Sequence, residues 1–200
     1  MYKLYDFLAS GNCYKVRLLL NQLDISYHRV NIDILNKQSR TAEFLKLNTN
    51  GRVPVLTDDK KTIAESNAIL WYLALNTGFL PKDKYQQALV LQWMFFEQFS
   101  HEPNIATPRY WISILNAEEE YKEQLIDKME AGYAALNVME KHLEKNDFFV
   151  ANQYSIADIA LYAYTHVAEE GKFDLSKYSR IKEWFKRIES QEKYITIKQN

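Results

Sequence analysis

Near Gly78 the hydrophobic rhythm of this chain changes, and few folds accommodate that change. Upstream, two periodicities alternate. Residues 2–7 form a short aromatic run of strand character. Val16, Leu19, Leu20 and Leu23 then recur at i, i+3, i+4 and i+7, the spacing of an amphipathic helix. Residues 27–32 return to strand character, and 41–47 read as a short helix with Thr41 as its N-cap. Residues 53–57 and 61–63 read as two strands around a tight Asp58-Asp59-Lys60 turn. A helix over 65–76 stops at Gly78. The order β-α-β-α-β-β-α implies at least one parallel βαβ unit. Downstream of a Pro81-containing linker, only helical periodicity remains. Leu125, Met129, Gly132, Leu136, Met139 and Leu143 trace a long core-facing stripe. Ser155-Ile156-Ala157-Asp158 has the form of a capping box. Ile181, Trp184, Phe185 and Ile188 mark a late amphipathic helix. The expected fold is an α/β domain over residues 1–78 followed by an all-α helical domain over 85–200.

Composition narrows the chemistry. One cysteine in 200 residues excludes an intramolecular disulfide and any Cys-rich zinc site. A net charge of -1 argues against nucleic acid as the main partner. No apolar run approaches the ~20 residues of a spanning helix, and residues 1–6 read as a strand rather than a leader. The expectation is a soluble, cytoplasmic protein with no nucleic-acid or membrane partner. His28, His101, His142 and His166 show no metal-ligand spacing with one another or with Cys13, so no metal site is expected.

Three segments carry candidate chemistry. Ser10-Gly11-Asn12-Cys13 lies between the first strand and the first helix, where backbone N–H groups and the helix dipole favour a thiolate. This is the place where thioredoxin-like redox proteins carry C-x-x-C. A serine there cannot form a mixed disulfide. It can donate a hydrogen bond to a thiolate brought by a ligand, or it can simply cap the helix. Val53-Pro54 opens a strand. In cis it turns the Val53 N–H and C=O outward to pair with an extended peptide-like ligand; in trans it is an ordinary strand-opening proline. Glu65-Ser66 begins a helix, where Ser66 and its neighbouring N–H groups suit a carboxylate and Glu65 suits an ammonium. Glu65 also simply suits a first helical turn.

Together and in this order, these residues resemble the cytosolic glutathione transferase superfamily over essentially the full length. The resemblance rests on Tyr-Asp-Phe-Leu-Ala-Ser-Gly-Asn-Cys-Tyr-Lys-Val-Arg at 5–17, Asn-Gly-Arg-Val-Pro-Val-Leu at 50–56, Ala-Glu-Ser-Asn-Ala-Ile at 64–69 and the capping box at 155–158. It is strongest to the serine-type branch, similar to theta, delta and phi classes and their bacterial relatives. The resemblance implies a thioredoxin-like first domain, Ser10 as the catalytic residue, a cis Val53-Pro54 bond, and a γ-glutamyl group gripped by Glu65 and Ser66. Arg52 falls where some classes bind the glycine carboxylate, and Gln38 and Arg40 lie in the variable segment before the second helix. It further implies glutathione as cosubstrate with no tightly bound cofactor, a detoxifying role and a homodimer.

Members working as thiol-disulfide transferases carry Cys where this chain has Ser10, and its absence argues against that activity here. The isomerase-type pattern Ser-Ser-Cys-x-Trp-Arg-Val is also broken here by Gly11 and Asn12. Cys13 remains open as a participant or as a small buried helix residue. The resemblance gives the second domain a pocket for a small hydrophobic electrophile. Glu97, His101, Tyr110 and Trp111 are its candidates, with helix packing as the alternative role. Pro103 and Pro108 are expected to kink or interrupt the helix that carries them. The functions this leaves open are conjugation to electrophiles, glutathione-dependent peroxidase activity, and a binding module without catalysis.

Overall fold

The computed structural model describes residues 1–59 and 61–199 and divides into two compact units, one of Met1–Thr77 with Glu192–Asn200 and one of Gly78–Gln191. The first unit follows the expected order: β1 (Tyr2–Asp6), α1 (Gly11–Gln22), β2 (Tyr27–Asn31), α2 (Ala42–Leu47), β3 (Val55–Asp58), β4 (Lys61–Ala64) and α3 (Ser66–Ala74). The strands form one sheet in the order β2-β1-β3-β4. β1 and β2 are parallel, whereas β3 pairs antiparallel with both β1 and β4. Val53 and Pro54 precede β3 rather than opening it, because Pro54 has no N–H for the ladder. Lys60, the last residue of the expected turn, lies outside the described residues.

Side-chain alternation along the strands sorts the core into two faces. Val30, Tyr5, Val55 and Ala64 share one face with Phe44 and Leu47 of α2. Phe44 meets Tyr5 edge-on, with ring centroids 6.1 Å apart. Leu4 and Leu56 point the other way and are fully buried, as are Val16, Leu19 and Leu20 of α1 and Ile69 and Leu70 of α3.

The sequence reading carried the helical domain to residue 200. The structure instead groups the segment after Gln191 with the α/β unit, and α1 explains why. Tyr14 Oη donates to the Ile195 carbonyl at 2.6 Å, Arg17 Nη2 to that of Ile197 at 2.8 Å, and Asn21 Nδ2 to that of Lys193 at 2.6 Å. Residues 14, 17 and 21 fall on one helical stripe, so the tail is held along the length of α1. Lys193 adds an ion pair to Asp24 at 2.9 Å. Arg17 is itself buried, with Nη1 2.6 Å from Asp6 Oδ1, while Arg29 pairs with the other oxygen of that carboxylate.

The second unit comprises α4 (Lys84–Phe96), α5 (Glu102–Arg109), α6 (Lys122–Leu143), α7 (Ile156–Thr165) and α8 (Ser179–Glu189). Besides one isolated bridge, Val150 to Gln153, its described residues hold no strand pairing. The expected stripes are buried: Leu125, Gly132, Leu136, Met139 and Leu143 on α6, and Ile181, Trp184 and Ile188 on α8. Met129 is half-buried. Gly132 is required by close approach, since a Cβ there would lie 2.5 Å from the Phe173 ring.

Pro103 and Pro108 do not break the helical course but change its pitch. A π-helical turn, Glu97–His101, precedes the first proline, and another, Tyr110–Ile114, follows the second. Proline withholds an N–H and crowds the carbonyl four residues back, and the wider turn before Pro103 relieves both at that residue. The capping box forms as expected. Ser155 Oγ accepts from the Ala157 N–H, and Asp158 Oδ2 accepts from the Ser155 N–H at 3.0 Å.

Candidate functional site

The sheet register brings three sequence segments to one end of the α/β unit. Tyr5, Val55 and Ala64 stand abreast on β1, β3 and β4. Ser10 follows β1, Val53-Pro54 precedes β3, and Glu65-Ser66 follows β4. Val30 on β2 is level with Tyr5, so the segment holding Gln38 and Arg40 leaves from the same end.

Ser10 is the N-cap of α1 and is half-buried. Its Oγ accepts the Cys13 N–H at 3.3 Å. A hydroxyl has two lone pairs and one hydrogen, so capping leaves that hydrogen for a ligand. The two roles considered for Ser10 are compatible.

Cys13 is fully buried in α1, and its Sγ accepts the Phe7 N–H at 3.4 Å. Burial pushes its thiol well above the ordinary range, reinforced by the charge of Asp6. A thiol held protonated and out of solvent is not a nucleophile. The open reading of Cys13 closes on a packing role.

The Val53-Pro54 bond is cis. Val53 is half-buried and Pro54 buried. Asn48 Nδ2 holds the Arg52 carbonyl at 2.8 Å, and the Arg52 side chain is exposed. Gly51, at φ +63°, lets Arg40 reach across to the Asn50 carbonyl at 2.8 Å; a Cβ at Gly51 would lie 2.5 Å from the Arg40 guanidinium. Gln38 instead accepts the Asp33 N–H at 2.8 Å.

Glu65 caps α3 with φ +69° and ψ 116°, an unusual backbone for a residue other than glycine. Such geometry costs about 1–3 kcal/mol and concentrates at ligand-binding positions. Its carboxylate is exposed, whereas Ser66 is only 4% exposed.

Sequence reasoning missed what surrounds Ser66. Lys15, fully buried, donates to Asn12 Oδ1 at 2.8 Å, to Ser66 Oγ at 3.2 Å and to Asn67 Oδ1 at 3.3 Å. Ser66 Oγ in turn donates to Asn12 Oδ1 at 3.0 Å. Asn12 and Lys15 are three apart, a pairing visible in the sequence, but nothing there showed that this face of α1 meets α3.

In the helical unit, two of the electrophile-pocket candidates are corrected. Glu97 and His101 are both fully buried, so they present no surface to a substrate. His101 Nε2 lies 2.9 Å from Thr165 Oγ1 on α7. Their shared helix face, read from the i, i+4 spacing, is buried at both residues. Tyr110 and Trp111 are half-buried, and Trp111 stacks on Tyr121 at 4.4 Å. Among the described residues no cluster of His, Cys, Asp and Glu has the makings of a metal site. No described helix is long and apolar enough to cross a membrane.

This geometry, a small mixed sheet with a cis-proline approach to β3 followed by a helical unit, is that of the glutathione transferase fold, and comparison with known proteins agrees. Family models for the N-terminal and C-terminal domains of glutathione S-transferase match residues 1–75 and 70–192. The chain belongs to the cytosolic glutathione transferase superfamily and is a transferase whose cosubstrate is glutathione. It is similar to a possible glutathione S-transferase from Rhodopseudomonas palustris, with 48% identity and a TM-score of 0.97 over 100% of this chain and 91% of that one. It is also similar to a glutathione S-transferase from Pseudomonas fluorescens, with 47% identity and a TM-score of 0.96 over 98% of each. The disulfide-bond oxidoreductase YfcG of Escherichia coli is 29% identical over 92% of this chain and 89% of that protein.

Proposed function

We propose that this chain is a serine-type, cytoplasmic and homodimeric transferase that conjugates the glutathione thiolate to small apolar electrophiles in a detoxifying role. The supporting observation is the shared sheet end at which Ser10, Val53-Pro54 and Glu65-Ser66 gather. Glutathione lies extended along Val53, pairing its backbone with that residue's N–H and C=O. Glu65 takes its ammonium, and Ser66 with the first N–H groups of α3 takes its α-carboxylate. Arg52, exposed beside Val53, takes the glycine carboxylate.

The thiol then sits at the N-terminus of α1. A free thiol titrates near about 8.5 and is mostly protonated at neutral pH. A hydrogen bond from Ser10 and the partial positive charge of the helix favour the thiolate, and the displaced proton goes to solvent. The thiolate attacks an electrophilic carbon, forming a C–S bond as the leaving group departs with the electron pair of its own bond. The half-buried Tyr110 and Trp111 are the remaining candidates for contact with the electrophile.

A dimer has support in α4 and the turn after it. Leu91, Phe95 and Phe99 are 36%, 69% and 86% exposed at four-residue intervals, an apolar strip suited to a second copy.

The similarity to a disulfide-bond oxidoreductase favours a second reading at the same site. There the Ser10-activated glutathione thiolate attacks a disulfide, releases one thiolate, and a second glutathione resolves the mixed disulfide. Two glutathione thiols are oxidised and one disulfide is reduced. The buried Cys13 takes no part.

Retention on immobilised glutathione, followed by parallel assays with chlorodinitrobenzene, a hydroperoxide and hydroxyethyl disulfide, tests these readings. Aryl-halide turnover supports conjugation, and turnover of the disulfide alone supports the second reading. Hydroperoxide turnover alone identifies a peroxidase, and binding without any turnover identifies a non-catalytic module.

A further inference from the structure

Ser66 meets a ligand carboxylate only if its hydroxyl hydrogen is available, yet that hydrogen is directed at Asn12 Oδ1, 3.0 Å away. The Lys15 ammonium touches both atoms of this bond, at 2.8 Å from Asn12 Oδ1 and 3.2 Å from Ser66 Oγ. It also donates to Asn67 Oδ1 at 3.3 Å. Asn12 lies two residues after Ser10 in the first turn of α1, whereas Ser66 and Asn67 open α3. One buried cation therefore joins the helix start at the thiol end of the site to the helix start at its carboxylate end.

We propose that Lys15 is a positioning residue for recognition of the γ-glutamyl α-carboxylate, an inference that rests on the glutathione-binding reading above. When a carboxylate oxygen arrives at the start of α3, Ser66 turns its hydrogen from Asn12 to the ligand. Asn12 Oδ1 keeps the Lys15 ammonium, so the exchange leaves no buried acceptor without a partner. The ammonium still donates to Ser66 Oγ, which polarises the O–H toward the incoming anion.

The test compares glutathione with 4-aminobutyryl-cysteinyl-glycine, which keeps the amine and lacks only the α-carboxylate. Calorimetry gives both affinities for the wild type, Lys15→Met and Lys15→Arg. The wild type is expected to favour glutathione by about 30-fold or more, Lys15→Met by less than about threefold, and Lys15→Arg to recover most of the preference. A purely structural lysine would weaken both ligands alike. A wild-type ratio in Lys15→Met therefore overturns the proposal, whatever happens to absolute affinity. If Lys15→Met does not fold, Asn67→Ala carries the test, because it removes an oxygen to which the ammonium donates. A reduced ratio there supports the proposal, and an unchanged ratio overturns it. Wild type that binds glutathione without preferring it refutes the role of Lys15 alone. Wild type that binds neither peptide refutes the glutathione-binding reading and this inference together.

Discussion

The Ser10 hydroxyl oxygen accepts the Cys13 amide hydrogen at 3.3 Å, so one side chain both begins α1 and faces its N-terminus with a free lone pair and a hydrogen to give. Ser10→Ala removes both contributions, and they are separable. Hydrogen bonds to a charged group contribute about 1.5–3 kcal/mol, so turnover is expected to fall about 10- to 100-fold while the glutathione Kd moves little. Loss of the cap costs about 0.5–2 kcal/mol of stability. Thiolate absorbance of the bound peptide as a function of pH reports the thiol directly, and its midpoint should rise in the variant. Equal losses in turnover and binding would remove Ser10 from the chemistry.

Cys13 should behave as packing. It is fully buried, and burial holds its thiol protonated. Native protein should resist a maleimide that labels it promptly after denaturation. Cys13→Ala should retain activity to within about threefold while losing about 1 kcal/mol or more of stability from the void it leaves. Rapid labelling of the native form would contradict this.

Asp158 exceeds the role of a cap. Its buried carboxylate accepts from the Ser155 N–H, the Phe149 N–H at 3.1 Å and Trp184 Nε1 at 3.0 Å. Asp158→Ala leaves these donors and the Ser155 hydroxyl, four in all, without that acceptor, so about 3–5 kcal/mol is expected rather than the ~0.5–2 of a cap alone. Burial also pushes this carboxyl up to about 6 from 3.8. A raised folded-state value means that the folded form binds the proton more tightly. Its contribution is complete below about pH 4 and is lost as pH rises to about 6, a swing of about 3 kcal/mol. His166 runs the other way, because burial pushes it down to about 4 from 6.5, and its contribution is lost as pH falls. The Asp158 component is therefore read as the difference between wild type and Asp158→Asn in denaturant titrations. A difference that is flat from pH 4 to 6 would refute it.

The exposed strip at Leu91, Phe95 and Phe99 predicts the assembly state. Phe95→Asp with Phe99→Asp should convert a dimer to a monomer in sedimentation equilibrium, since each change places a charge in an apolar contact. A wild-type monomer, or a variant that stays dimeric, would exclude this face.

What could be read from residues alone was whatever is local. The α1 stripe, the succession of strands and helices along the first unit and the capping box depend on neighbours within a turn or two, and each is present in the structure. The cis Val53-Pro54 bond was reachable only through family resemblance, because an isolated X-Pro step is ambiguous. Glu97 and His101 show the limit of periodicity. Their spacing established a common face but not whether that face was exposed or buried. Nothing in the sequence marks Lys15 for burial, because its partners Ser66 and Asn67 lie more than 50 residues away on α3. The tail was opaque for a similar reason: its partners on α1 lie some 170 to 180 positions earlier, and three carbonyls leave no mark in side-chain composition.

That tail sets an order of events during synthesis. The ribosome makes every other part of the α/β unit first, then the whole helical unit, and only afterwards residues 192–199. Until those residues emerge, Tyr14, Arg17 and Asn21 lack the carbonyls that hold them, and the buried Asp6–Arg17 pair is left without one of its neighbours. A nascent chain stalled shortly before residue 192 should therefore expose α1 to protease while its helical unit is already resistant. Completion of the α/β unit thus falls to residues 192–199.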